Sequence, residues 1–138
     1  MKFVLDVNVA LKWVLTEPDS DLAQSLLDDF ALGIRELIAP DVFPIEAAHA
    51  LTRSERRGLI SNAQDRLTAI MANSPDLTFY LPLLGQAVEI SRQCRVGVFD
   101  CLYIALAERE GCDVVTADQK MINAVVSHYP FVKHLRDV

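Results

Sequence analysis

The sequence predicts an α/β sandwich built on a mainly parallel sheet, and three observations carry that expectation. Short apolar runs of strand length alternate with longer segments of helical periodicity, glycines and prolines fall at the joints, and aspartates stand where strands hand over to helices. At 138 residues the chain fits one domain, 1–138, with a real core. A hydrophobic fraction of 51% beside 23% charged residues excludes a disordered or fibrous chain, and no repeat or low-complexity tract interrupts it.

The first apolar run, residues 2–5, reads as a buried strand, and residues 7–15 carry helical spacing until Pro18 stops them. Asp19, Ser20 and Asp21 supply N-cap chemistry for a second helix through Leu22, Leu26, Leu27 and Phe30, closed by Gly33. A short second strand at 37–39 ends at Pro40. A third helix runs from 42 to about 57 with Ala47, Ala48 and Leu51 toward the core and Glu46, His49 and Arg53 on a more polar side; Gly58 ends it. Ser61 and Gln64 match a capping box for a fourth helix that buries Ala63, Leu67, Ile70 and Met71.

The third strand is expected at 77–81, the fifth helix at 84–94, and a sixth at 101–110 opened by Asp100. That sixth helix is apolar on nearly every side, which predicts burial, and Gly111 caps it. A fourth strand at 113–116, a seventh helix at 118–127 and a last short strand at 131–133 complete the alternation.

Composition narrows the chemistry. The opening apolar run meets Asp6 after too few residues for a secretory leader or a membrane span, which predicts cytoplasmic residence and no membrane partner. Cys94, Cys101 and Cys112 show no C-x-x-C spacing and read as small core-filling residues, and His49, His128 and His134 lack zinc-ligand spacing. A net charge of −6 opposes binding to a polyanion. Bound divalent cations invert the field of an acidic site, however, and Arg53, Arg56 and Arg57 form a local basic patch. That triplet suits phosphate contact and a solvated helix C-terminus equally well.

In an open parallel sheet, ligands gather beyond the carboxyl ends of the strands at the point where strand order changes direction. Asp6 follows the first strand and Asp118 stands two residues beyond Thr116 at the end of the fourth, so both face one crevice if those strands are neighbours. Each singly has a bland alternative: Asp6, Asp100 and Asp118 as helix caps, Glu46 as a solvent-facing glutamate. Converged, they would be frustrated, since two like charges ~4 Å apart repel by roughly 4 kcal/mol at an effective dielectric of about 20. Such a cluster calls for a cation, and an all-oxygen donor set suits Mg²⁺ or Mn²⁺, whose chemistry at a phosphodiester is hydrolysis by an activated water.

Four segments carry a resemblance: FVLDVN at the start, PDVFPIEAAHAL around Glu46, VFDCLYIALAERE, and CDVVTADQKM, the last two separated by Gly111 alone. Over essentially its whole length the chain resembles PIN domains of the VapC type, the toxins of bacterial and archaeal toxin-antitoxin pairs. The resemblance implies a three-layer α/β/α sandwich with a five-stranded sheet in the order 3-2-1-4-5. It further implies a metal-dependent endoribonuclease with Asp6, Glu46, Asp100 and Asp118 as catalytic and metal-binding positions. Asn8 and Thr116 match supporting positions, Asn8 orienting Asp6 or a water and Thr116 holding Asp118 through its hydroxyl. An RNA substrate, a small cognate antitoxin and a homodimer are implied as partners, with residues 13–15 as an exposed contact or, for Trp13, core packing. Val7 departs from the family pattern, standing where many members carry a hydroxyl residue.

Two other readings compete. One is a catalytically weak module that binds RNA or an antitoxin without turnover. The other is a phosphohydrolase with Asp6 as covalent nucleophile, which expects an acidic partner two positions later, where Asn8 stands, and a nearby lysine, for which Lys120 is the candidate.

Overall fold

A computed structural model describes all residues 1–138. Five strands form one all-parallel sheet: β1 (Lys2–Leu5), β2 (Glu36–Pro40), β3 (Asp76–Thr78), β4 (Asp113–Thr116) and β5 (Val132–His134), in the order β3-β2-β1-β4-β5. Seven helices connect them: α1 (Val7–Leu11), α2 (Ser20–Ala31), α3 (Phe43–Arg56), α4 (Ala63–Ala72), α5 (Leu84–Cys94), α6 (Val98–Glu110) and α7 (Gln119–Val125). The chain steps outward from β1 to β3 and then crosses back to β4. With right-handed crossovers this reversal places helices on both faces and completes a three-layer α/β/α sandwich.

The register centres on β1, where Val4 lies opposite Ile38 on β2 and Val114 on β4. Strands buried on both faces need apolar side chains at consecutive positions rather than alternate ones. Val4, Leu5, Leu37, Ala39, Val114 and Val115 meet that need and are fully buried. Helix α6 is buried at every position from 101 to 107 and packs against β1, β2 and β4 on one side and α5 on the other. Cys101 is buried, while Cys94 and Cys112 pack half-buried at the core's edge as free thiols.

Several boundaries differ from expectation, some of them because a distant residue takes over a backbone group. Helix α1 ends at Leu11, and residues 12–14 continue as tight turns in which Trp13 and Val14 N–H bond to carbonyls three residues back. Residues 13–15 are partly buried and pack on the core, and Trp13 Nε1–H donates to the Ala23 carbonyl at 3.0 Å. Asp19 caps nothing with its side chain, adopts a left-handed φ of 65°, and gives its carboxylate to Arg136 at 2.8 Å. The expected Ser61 capping box is absent. Glu55, from the preceding helix, accepts the Ala63 N–H instead.

Strand β3 stops at Thr78 because the Tyr80 N–H is taken by the Asp41 carboxylate and Pro82 lies in a following 3-10 turn, Leu81–Leu83. Phe79 is left exposed. Helix α6 starts at Val98 after Gly97, so Asp100 sits inside its first turn rather than ahead of it. Helix α7 is shorter than expected at both ends, and β5 is shifted by one residue. No helix is long and apolar enough to cross a membrane.

Gly111 ends α6 with φ +65° and leads the chain into β4, with open space where a side chain would stand. Gly111→Ala therefore meets only the left-handed backbone penalty, and urea denaturation is expected to show a loss of about 1 kcal/mol.

Candidate active site

Asp6 leaves β1 with its N–H still paired to the Val115 carbonyl at 3.1 Å, so the sheet fixes its backbone. The residue precedes α1, yet its carboxylate makes no cap hydrogen bond. Its Oδ2 instead accepts the Thr116 hydroxyl at 2.7 Å, from the neighbouring strand. Thr116 is completely buried, and two donors point at its Oγ1: Asn8 Nδ2 at 3.2 Å and the Asp118 N–H at 3.1 Å. With both lone pairs engaged, the hydroxyl proton is directed to Asp6. Asn8 Oδ1 also accepts the Ala117 N–H at 3.0 Å, clamping the β4–α7 turn against the start of α1.

The other carboxylates arrive from three helices. Asp118 precedes α7 and caps it, Oδ1 accepting the Met121 N–H at 3.0 Å, so its capping and its place at the crevice coexist. Asp100 is half-buried in the first turn of α6, and Glu46 lies in the first turn of α3. Glu46 Oε1 accepts the hydroxyl of Tyr103 at 2.8 Å. Tyr103 escapes a reading that looks for acids, but the sequence holds a signal: a buried phenol needs a polar partner, and Tyr103 sits one helical turn from Asp100.

Electrostatics tie the four together. Burial pushes Asp6 up to about 7; the Thr116 hydrogen bond opposes the rise, and the charges of Asp100 and Glu46 add to it. Glu46 is raised by burial and by Asp100, against the pull of the Tyr103 hydrogen bond, and Asp100 is raised by burial and by Asp118. The Tyr103 phenol is pushed far up, first by burial and then by Glu46 and Asp6, so it stays a neutral donor. No lysine or arginine forms an ion pair with any of the four acids.

This donor set is all oxygen and hard, which fits Mg²⁺ or Mn²⁺. As arranged, no three of the side chains come close enough together to hold a metal ion. A cation here would touch one or two carboxylates and reach the others through water, the usual habit of Mg²⁺. Arg53, Arg56 and Arg57 lie farther along α3 and just past it, exposed and without ion pairs; the structure does not bring them to the carboxylates. Lys120 is exposed as well, and Asn8 is committed to Thr116 and Ala117, which leaves the covalent phosphohydrolase reading without its accessory groups.

A family profile described as PIN domain matches residues 3–126. The chain belongs to the PIN domain family. Ribonuclease VapC3 of Pyrobaculum aerophilum is 27% identical over 126 residues, covering 88% of this chain and 92% of that one. Among solved structures, PAE2754 from Pyrobaculum aerophilum superposes with a TM-score of 0.73 at 16% identity, over 99% of this chain and 91% of that one. VapBC2 from Rickettsia felis, bound to a DNA fragment from their promoter, gives 0.68 at 16% identity, covering 97% of each chain. A toxin-antitoxin complex from Klebsiella pneumoniae gives 0.61 at 12% identity, over 96% and 97%. These structures share the fold of this PIN domain.

Two predictions follow from the charges in this PIN domain. Asp6 binds its proton near pH 7 when folded but near 3.8 when unfolded, so the folded state holds more protons between those values. Stability of the metal-free protein therefore falls as pH rises from about 4 to 7, and the loss is complete above that window. Asp6→Asn is expected to melt several degrees higher than the parent at pH 8 without divalent metal, the gap closing near pH 5; equal melting at pH 8 would contradict this. Tyr103→Phe removes the donor to Glu46 and is expected to cost about 1–2 kcal/mol at pH 8 by chemical denaturation.

Proposed function

We propose that this PIN domain is a Mg²⁺- or Mn²⁺-dependent endoribonuclease acting in the cytoplasm as the toxin of a toxin-antitoxin pair. The observation that carries the reading is the placement of Asp6, Glu46, Asp100 and Asp118 around the carboxyl ends of β1 and β4, where burial and neighbouring carboxylates raise Asp6, Glu46 and Asp100 and no cationic side chain pairs with any of the four. Likeness to a ribonuclease VapC supports the nuclease assignment. The toxin-antitoxin complexes among its structural neighbours support a small antitoxin as partner, and the homodimer rests on the resemblance to VapC-type toxins.

The chain's own residues do three things in this reading. Asp6, Glu46, Asp100 and Asp118 would hold the cation, which when bound lowers the pKa of water and neutralises charge gathering on the phosphate. Thr116, Tyr103 and the Met121 N–H each tether one oxygen of Asp6, Glu46 and Asp118, so these carboxylates are oriented before substrate arrives. Both Asp100 oxygens, Glu46 Oε2 and Asp118 Oδ2 meet no protein donor and stay available to the crevice. The products would carry a 5′-phosphate and a 3′-hydroxyl.

A second reading, an RNA- or antitoxin-binding module with weak catalysis, draws on the fact that no three carboxylates yet meet at ligating distance. Cleavage separates the two. The nuclease reading expects Mn²⁺-stimulated cleavage of RNA abolished by EDTA, and a drop of at least about 100-fold in Asp6→Asn and Asp118→Asn shown to be folded. Variants that cut as fast as the parent sink the site assignment; a parent that binds RNA and never cuts it establishes the module.

A further inference from the structure

Beside the carboxylates, sharing Glu46 with them, lies a cleft of about 500 Å³. Val7, Ile45, Glu46, His49, Ala50 and Phe99 line it. Its mouth carries two large apolar side chains that the fold leaves in water, Ile45 at 72% exposure and Phe99 at 59%. Phe99 is the immediate neighbour of Asp100, and Glu46 is shared between cleft and cluster, so an occupant of the cleft sits next to whatever the carboxylates act on. A second hollow of similar size, lined by Ala48, Thr52, Glu55 and Leu67 among others, contains none of the four acids.

Helix α3 supplies the argument for what the occupant is. From Glu46 the same helical face continues through His49, Arg53 and Arg56, with Arg57 just past the end. At about 1.5 Å per residue, Arg53 and Arg56 lie about 10 and 15 Å beyond Glu46. All three arginines are exposed and none is in an ion pair, although acidic residues outnumber basic ones 19 to 13. A cationic peptide drawn to the carboxylates would be repelled along this face. An anionic chain bearing flat apolar groups fits both parts: phosphates on the arginines, and a ring in the cleft against Phe99. Single-stranded RNA has that make-up, since its unpaired bases can splay out and stack on aromatic side chains, whereas a duplex hides them.

We propose that the Val7–Ile45–His49–Phe99 cleft is a nucleobase subsite that seats the base next to the scissile phosphate, with the strand continuing along α3 over Arg53 and Arg56. The inference rests on the ribonuclease reading and adds the seat of one base and the path of the strand. Phe99 supplies the stacking face, Ile45 and Val7 the apolar walls, and His49 a polar rim facing the base edge. The subsite predicts a preference at one nucleotide position and a requirement for single strands.

The test uses the full chain and a mixed-sequence single-stranded oligoribonucleotide labelled with 2-aminopurine, in Ca²⁺, whose looser coordination offsets the carboxylates without organising the hydrolytic water, so that binding is read without cleavage. The parent is expected to quench the label on binding. Phe99→Ala, an exposed substitution checked by thermal melting, should weaken binding about tenfold or more and lose the quench, and Phe99→Trp should restore both. Arg53→Ala with Arg56→Ala should flatten the salt dependence by about one to two in slope. Unchanged affinity and quench in Phe99→Ala overturn the subsite, as does unchanged RNA binding with altered self-association by sedimentation, which would make the cleft a contact between copies. Metal-dependent cleavage by the parent is scored separately. A parent that cleaves while Phe99→Ala binds normally retains the nuclease reading and loses the subsite; one that binds through Phe99 and never cleaves does the reverse. A parent that neither binds nor cleaves RNA loses both.

Discussion

The Thr116 hydroxyl joins the two strands on which the site depends. It is fully buried at the end of β4, accepts from Asn8 and the Asp118 backbone, and passes its single proton to Asp6 at the end of β1. Without it, Asp6 would be a buried carboxylate with little support, and the β4–α7 turn that carries Asp118 would lose one of its links to β1. The parallel sheet makes the arrangement possible: adjacent parallel strands end at the same edge, so residues 110 apart in sequence come within hydrogen-bond distance.

This hub works against the rest of the site. The acids oppose one another's ionisation, and burial adds to that opposition, so the folded protein carries electrostatic strain when metal-free. The strain is tolerable because it is confined to the sheet edge, above a core in which α6 is buried at seven consecutive positions from 101 to 107. A cation at the crevice would relieve it, so ion binding and folding stability should be coupled through the same carboxylates. The tethers on Asp6, Glu46 and Asp118 bear on this too, because a carboxylate held by one oxygen cannot swing away from its neighbours to escape repulsion.

Most of the fold was legible because burial and breakers agreed locally. The apolar run of β1, the Gly111 stop after α6 and the strand β4 behind it needed no information from elsewhere in the chain. What escaped was decided by distant partners. Glu55 replaces Ser61 at the start of α4, Arg136 takes the Asp19 carboxylate, and Asp41 removes Tyr80 from the β3 ladder. At the site, the strand ends place Asp6 and Asp118 at one sheet edge once β1 and β4 are neighbours, an order the resemblance implied, whereas the inward turn of Glu46 rests on Tyr103, a contact across 57 positions that no local pattern announces. Thr116 was expected to serve Asp118; it does so through that residue's backbone, while its proton goes to Asp6.

Net charge is therefore a poor guide to what the surface can bind. A balance of −6 reads as repulsion toward RNA, yet the negative charge that matters is gathered in one partly buried crevice where a divalent ion can offset it. The arginines of α3 stand apart from that crevice along the helix, unpaired and accessible. Had they been closer, they would have neutralised the carboxylates themselves, lowering the acids' pKa values and removing the reason for a cation to bind. Standing on the helix that supplies Glu46 but about 10 to 15 Å beyond it, the arginines would, on the proposed reading, offer phosphate a contact apart from the metal and give an incoming strand a direction relative to the carboxylates.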